Sequence, residues 1–251
     1  MKHCVKSEAL ALGLFVLAAC SDTVAPDGFE DSLTLDVAMI AADAVIDEFG
    51  DLGLLFGGGA FRAPSETSHR TRTHTATFFD ADGNEQAVRD PLTTASIHLL
   101  IESSHEFSRD SWSATGTRSR DLWITGLEGE ETSRTVNGTG IGSMTRSQHT
   151  DADGTRTYEM SSTSVIEDVV HPVPRTDDAW PLSGTITRDV TINVVDGPDG
   201  DVTKSRTVVI IFNGTNLVTM TVYGESAVDG ESFEVDLSTR SGRHPFRKRG
   251  Q

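Results

Sequence analysis

Apolar residues recur every three or four positions between about Thr34 and Phe49. Residues at this spacing fall on one side of an α-helix, and acidic residues line its other side. The apolar set is Leu33, Val37, Ile40, Ala41, Ala44 and Val45, and the acidic set is Asp36, Asp43 and Asp47. We predict an amphipathic helix that packs on the rest of the domain, because a membrane-surface helix would carry a basic polar face instead.

From about residue 67 to residue 240 the period changes to two, which is the period of a β-strand. The predicted strands are 69–79, 93–101, 109–117, 119–126, 131–137, 139–149, 155–168, 183–195, 202–213, 216–224 and 231–239. Strands at regular short spacing with turns between them favour an antiparallel meander. We predict a mainly β fold of about ten or eleven strands, arranged as one large curved sheet, an open barrel or a sandwich.

Short polar segments between these strands match known turn chemistry. Asn137-Gly138 and Asn213-Gly214 are candidates for two-residue hairpin turns. Longer turns are predicted at Asp80–Asn84, Asp151–Thr155 and Asp196–Asp201.

A short motif occurs twice, as Arg109-Asp110-Ser111-Trp112 and as Arg120-Asp121-Leu122-Trp123. Two hairpin strands of that length would place Trp112 and Trp123 in neighbouring positions. We predict that the two tryptophans anchor adjacent strands by packing together, and a ligand platform is the alternative.

The beginning of the chain has a pattern of its own. A short basic region at residues 2–6 precedes an apolar stretch from Ala9 to Ala19. This stretch is too short to cross a hydrocarbon core of roughly 30 Å as a helix, and it has the length of the apolar part of a signal peptide. It ends in Leu17-Ala18-Ala19-Cys20, followed by Ser21.

This segment resembles the lipobox of bacterial lipoproteins, in which a cysteine receives a diacylglycerol group before signal peptidase II cleaves the chain. The resemblance covers residues 1–22, and we recognise no family in the rest of the sequence. It implies cleavage before Cys20, lipid attachment at Cys20 and a place in the bacterial cell envelope. In double-membrane bacteria, Ser21 after the cysteine further implies the outer membrane rather than the inner one.

These patterns divide the chain into five parts. They are a signal peptide at 1–19, a tether at 20–32, the amphipathic helix with a glycine-rich linker at 33–65, an antiparallel β-domain at 66–240 and a basic tail at 241–251. Of the two cysteines, Cys4 leaves with the leader and Cys20 carries the lipid. We therefore expect neither a disulfide nor a thiol nucleophile in the exported domain.

The protein is acidic, with 21 Lys and Arg against 38 Asp and Glu and a formal net charge of −17. Binding to nucleic acid needs a basic surface, so we expect no nucleic acid partner. Attraction to anionic headgroups is disfavoured for the same reason, and the lipid on Cys20 is the expected membrane contact. A protein or small-molecule partner is not identifiable from the sequence.

Motifs for catalysis and metal binding are scarce. The sequence contains no Gly-x-Ser-x-Gly nucleophile motif, no Ser-x-x-Lys dyad and no histidine pair at a zinc-ligand spacing. Two Asp-x-Asp-Gly turns offer oxygen ligands for calcium, one with Asp80 and Asp82 and one with Asp151 and Asp153. A plain turn is the preferred interpretation, with weak calcium binding as the alternative. We predict no catalytic residue and no cofactor.

The sequence thus favours a non-enzymatic, envelope-anchored lipoprotein with a binding or structural role. One alternative is a carrier of lipid or another apolar ligand, with the helix closing a curved sheet. Its cavity would be lined by Leu99, Ile101, Val165, Val209, Ile211 and Val222. The other alternative is a secreted hydrolase that uses two carboxylates, one of them with a raised pKa.

Overall fold

The computed structural model describes residues 68–109, 112–150, 154–174, 180–195, 200–224 and 230–237. The described residues form ten strands: β1 Ser68–Phe79, β2 Glu85–Gln86, β3 Ser96–Arg109, β4 Trp112–Thr125, β5 Ser133–Thr150, β6 Gly154–Pro172, β7 Ser183–Val195, β8 Val202–Ile211, β9 Leu217–Gly224 and β10 Glu231–Asp236. The predicted signal peptide, tether, helix, linker and basic tail lie outside them. Within this part of the chain, no helix has the length and apolar character that crossing a membrane requires.

All ten described strands belong to one antiparallel sheet, in the order β10-β9-β8-β7-β6-β5-β4-β3-β1-β2. From β3 to β10 each strand pairs with the next one along the chain, and the two-residue β2 pairs with the end of β1. The predicted mainly β antiparallel meander is confirmed. Of the three arrangements considered, the described strands form an open sheet, with β2 at one edge and β10 at the other.

Two pairs of predicted strands are in fact single long strands. Segments 109–117 and 119–126 are joined in β4, and segments 131–137 and 139–149 are joined in β5. The predicted hairpin at Asn137-Gly138 is therefore wrong. The register between β5 and β6 shifts there, which identifies a β-bulge.

Gly138 is required by the packing of backbones at this bulge. Its φ of 156° lies in a region that side-chain-bearing residues seldom adopt. A Cβ at this position would also overlap the carbonyl oxygen of Asp121 on the neighbouring strand β4. The glycine thus permits a close approach of two strands rather than a reversal of the chain.

The other Asn-Gly pair does lie in a turn, but the turn is longer than predicted. Residues 212–216 connect β8 to β9, and Gly214 has a φ of 83°. The Asn213 side chain accepts a hydrogen bond from the Thr215 N–H at 3.1 Å and donates one to the Leu217 carbonyl at 2.9 Å. The asparagine therefore closes a five-residue loop through its side chain.

The sheet has a buried side, here called the inner face, and an exposed side, the outer face. The inner face carries the hydrophobic core, in which one row of paired residues crosses four strands: Ile166, Ile186, Ile210 and Met220. Each of these side chains is at most 1% exposed. Alternation along the strands places serine, threonine and acidic residues on the outer face, as the period-two pattern predicts.

Candidate functional site

The charged residues of the sheet are divided between its faces. Every described Arg and Lys side chain in the strands occupies an inner-face position, and these are Arg72, Arg118, Arg120, Arg134, Arg146, Arg156, Arg188, Lys204 and Arg206. The described Asp and Glu side chains of the strands lie on the outer face, except that Asp168 lies at the β-bulge of β6. They are Glu85, Glu102, Glu106, Asp121, Glu159, Glu167, Asp168, Asp189, Glu234 and Asp236. In an acidic protein, this arrangement concentrates positive charge on one side of the sheet.

Four of the inner-face arginines, Arg118, Arg120, Arg188 and Arg206, form what we call the arginine cluster. They occupy strands β4, β7 and β8, and the positions between them on β5 and β6 are glycine and serine. These small residues are Gly140, Gly142, Ser162 and Ser164. Because Gly142 has no side chain, the Arg118 and Arg188 side chains can lie above it.

The side chains of Arg118 and Arg188 meet over Gly142. A Cβ on this glycine would lie 3.2 Å from Arg188 Nη2 and 3.5 Å from Arg118 Cγ. Arg188 Nη2 donates a hydrogen bond of 2.6 Å to Ser162 Oγ, and that hydroxyl donates to the Gly142 carbonyl at 3.4 Å. The glycine and the serine thus hold the Arg188 guanidinium close to the sheet.

Three residues of the cluster are deeply buried, since Arg120 is 4%, Arg188 3% and Arg206 8% exposed. An arginine side chain remains charged in proteins, and removing its charge from water is costly unless anions and hydrogen-bond acceptors surround it. Guanidinium groups match carboxylate and phosphate oxygens in a two-pronged geometry. The chemistry that suits this cluster is therefore the binding of carboxylates or phosphates.

A second group of side chains lies on the outer face and is exposed. The indole of Trp123 stacks on the His98 ring, with ring centroids 4.6 Å apart and ring planes 13° apart. The centroid of the Phe79 ring lies 5.5 Å from that of the indole. His98 Nε2 lies 2.7 Å from Asp121 Oδ1, which fixes the imidazole against the indole. Trp123 is still 43% exposed. We call these four residues the aromatic cluster.

Next to the aromatic cluster, the outer face holds a hydroxyl-rich groove of about 610 Å³. Its lining includes Thr71, Thr73, Thr117, Ser119, Ser143 and Ser161. The hydroxyls of Thr117 and Ser143 are 2.9 Å apart and bonded to each other. Glu102 adds a carboxylate to this lining, so the groove offers both donors and acceptors of hydrogen bonds.

The prediction for the two tryptophans is wrong. Trp112 and Trp123 lie at opposite ends of the same strand, β4, and on opposite faces of the sheet. Trp112 stays on the inner face, where the Arg146 guanidinium lies 4.9 Å from its ring. An odd spacing of eleven residues puts two side chains on opposite faces of one strand, whereas the prediction assumed a hairpin between them.

At the first predicted calcium turn, the oxygens of Asp80 are engaged by the turn itself. Asp80 Oδ1 accepts the backbone N–H groups of Asp82 at 3.0 Å and Asn84 at 2.8 Å. Oδ2 accepts the Asn84 side-chain amide at 3.0 Å. The hydrogen bonds from the Asn84 side chain and backbone hold the pKa of Asp80 below its ordinary value of 3.8.

Three other predicted site residues are not among those that the structure describes. Asp151, Asp153 and Cys20 lie outside the described residues. Among those that the structure describes, no three His, Cys, Asp or Glu side chains come together closely enough to hold a metal ion.

The chain matches no family model, no curated protein and no solved structure.

The arginine cluster was not predicted, although part of its signal is present in the sequence. Arg188 has the same parity as the core residues Ile186 and Val190, and Arg206 has that of Val208. The same parity in a strand means the same face. Only the strand order shows that Arg118 and Arg188 meet, because 70 residues separate them along the chain.

Proposed function

We propose that the protein is anchored by a lipid on Cys20 in the bacterial cell envelope, at the outer membrane, and that its β-domain is a binding module rather than an enzyme. The lipobox at residues 17–20 supports the anchor. The outer face supports the binding role, because it groups the exposed Trp123 with two further rings, and tryptophan is enriched among the residues that dominate binding.

The observation that carries the binding role is the exposed, stacked indole of Trp123. Its ring is held by His98 and Phe79, so binding a ligand there would cost little side-chain entropy. The electron-rich face of an indole packs well against C–H groups that carry partial positive charge. The C–H face of a sugar ring has this character.

The polar groups around Trp123 favour the same class of ligand. Asp121 lies beside the ring, and Ser119, whose hydroxyl lines the groove, is the next outer-face residue before Asp121 on the same strand. Carboxylate and hydroxyl oxygens accept hydrogen bonds from sugar hydroxyl groups. The acidic residues of this face repel anionic polymers, so we propose an uncharged saccharide as the ligand.

The anchor is tested by mass spectrometry of the protein from the membrane fraction, with Cys20→Ala as the comparison. The wild-type protein should begin at Cys20 and carry acyl mass, and the variant should leave the membrane fraction. An unacylated protein that begins elsewhere would contradict the anchor.

The binding role is tested by titration calorimetry with a panel of uncharged oligosaccharides. Trp123→Ala should weaken binding at least about tenfold, which corresponds to about 1.4 kcal/mol. Tyr223→Ala is the matched control, because Tyr223 is an exposed aromatic residue on the outer face at the distant strand β9. Equal losses in the two variants, or no binding of any saccharide, would contradict the proposal.

The residues predicted to line the cavity of a carrier do not lie on one face of the sheet. Of that set, Leu99, Ile101 and Val222 lie on the inner face, whereas Val165, Val209 and Ile211 lie on the outer face. These residues cannot line one cavity, because the sheet separates them. A carrier would have to use the inner face alone.

The hydrolase alternative stays a prediction. It requires two carboxylates that converge and one carboxyl group with a raised pKa. The shift that stands out among the described carboxyl groups is the lowered pKa of Asp80. Hydrolysis of any oligosaccharide in the calorimetry panel, detected as released reducing ends, would favour the hydrolase over the binding module.

A further inference from the structure

We infer that the arginine cluster on the inner face binds carboxylates of this same chain, supplied by the acidic stripe Asp36, Asp43 and Asp47. The inference goes beyond the function proposed above and depends on other residues. It assigns the inner face of β4–β8 as the docking surface of the N-terminal segment.

The sequence of this segment favours burial on all sides except one stripe. Apart from Asp36 and Asp43, every residue from 35 to 46 is Ala, Val, Leu, Ile or Met. With about 100° per residue in an α-helix, Asp36, Asp43 and Asp47 fall within about 40° of one another. A helix that is apolar almost all round is a buried helix, and carboxylates on a buried helix need cations beside them.

The inner face supplies the cations. One row of paired residues across β4–β8 is Arg118, Gly142, Ser162, Val190 and Arg206. The next row is Arg120, Gly140, Ser164, Arg188 and Val208. Both rows have arginine toward their ends and small residues in between, and the Arg118 and Arg188 side chains lie over Gly142, so an element on this face would meet guanidinium groups.

The lengths of the two partners also agree. Arg118 and Arg206 stand four strands apart, which corresponds to about 19 Å at about 4.8 Å per strand. The stripe from Asp36 to Asp47 extends about 16 Å along a helix, at about 1.5 Å per residue. A helix laid across the strands would therefore bring carboxylates to both sides of the cluster.

The distribution of charge favours this occupant. The described acidic side chains of the strands lie on the other side of the sheet or at its bulge, so the inner face of the described strands is a basic surface that complements an acidic segment. The segment from Asp36 to Asp51 carries five acidic residues and no basic one. A second copy of the chain and an anionic amphiphile are the other occupants that the experiment distinguishes.

The first test is cross-linking in the full chain with Cys4→Ser and Cys20→Ser, so that only introduced cysteines react. Ala44→Cys is combined with Ser164→Cys on the inner face, and in the control with Thr163→Cys, the preceding residue on the outer face. A short bismaleimide should link the first pair within one molecule at least about tenfold faster, because docking raises the effective concentration of the two thiols. Equal rates would overturn the inference, and so would links formed mainly between molecules.

The second test identifies the role of charge. In the Ala44→Cys, Ser164→Cys background, Asp36→Asn, Asp43→Asn and Asp47→Asn together should lower the cross-linking rate at least about tenfold. The control removes three carboxylates from the outer face, with Glu102→Gln, Asp189→Asn and Glu234→Gln, and should leave the rate unchanged. An equal effect of both triple variants would overturn the inference.

The anionic amphiphile is tested directly on the unchanged acidic stripe. Dodecyl phosphate, added below its micelle concentration, should leave cross-linking of the Ala44→Cys, Ser164→Cys pair unaffected. A loss of cross-linking at low dodecyl phosphate concentration would overturn the inference and identify the inner face as the site of an amphiphile carrier.

Discussion

Arg118 and Arg188 lie on strands three positions apart in the sheet, yet the side chains of both pass over Gly142. The Arg188 side chain is buried, and a buried positive charge is stable only when anions and hydrogen-bond acceptors lie close to it. The missing side chain at position 142 makes this arrangement possible, because the hydrogen atom of glycine leaves space for both arginines. The three residues should therefore be sensitive to small changes of volume and charge.

Substitution Gly142→Ala should destabilise the protein by about 1–3 kcal/mol, the usual range for overpacking a filled interior. The added methyl group would press on the ends of the Arg188 and Ser162 side chains, which can shift by a few tenths of an ångström. Urea denaturation measures the loss. Gly138→Ala should cost more, because there the methyl group would meet the backbone of Asp121 and Leu122. The reverse order would contradict the described packing.

Substitution Arg188→Met should destabilise the domain by about 1.5–3 kcal/mol, because it removes the hydrogen bond of 2.6 Å that this buried charged group donates to Ser162 Oγ. The matched control is Arg89→Met. Arg89 pairs with Glu131 at 2.8 Å, its side chain is 39% exposed, and Glu131 keeps Arg134 as a second partner, so the loss should cost at most about 1 kcal/mol. Chemical denaturation of both variants gives the comparison, and similar losses would show that Arg188 is not part of a buried charged group.

Substitution Asp80→Ala should lower the melting temperature at neutral pH, and the difference from wild type should disappear in acid. A carboxyl group whose pKa is lowered in the folded state stabilises the protein above its unfolded pKa of about 3.8, and this contribution is lost as the pH falls through the folded pKa. Asp82→Ala is the control, since Asp82 contributes its backbone N–H to the turn. A difference that persists at low pH would point to a role of Asp80 other than as an ionised acceptor.

The sequence predicted the sheet because its signal is local. Alternation along a strand depends on residues two positions apart, and in segments such as 183–195 and 216–224 it gives the strand within a residue or so. The failure at Asn137-Gly138 has a physical reason. Asparagine followed by glycine suits both a tight turn and a bulge, and the choice depends on the neighbouring strands β4 and β6.

The charged sites are harder to predict because they depend on pairing across the sheet. Parity alone assigns Arg188 to the same face as Ile186, yet its neighbours Ser162 and Gly142 follow from the register of two hairpins. The aromatic cluster is similar, because the stacking of Trp123 on His98 depends on the pairing of β3 with β4. A single insertion in one turn would separate these residues without changing the local pattern.

The strand order from β3 to β10 repeats the order of the strands in the chain. Every pairing there joins sequence neighbours, so each new hairpin closes a short loop at a small cost in chain entropy. The relative contact order of such a sheet is low for an all-β domain, and we expect it to fold faster than a Greek-key sandwich of the same length. Strands can then be added one by one in the order of their synthesis. The arginine cluster is complete only after β7 and β8 have joined the sheet, because β4 contributes just two of its four arginines.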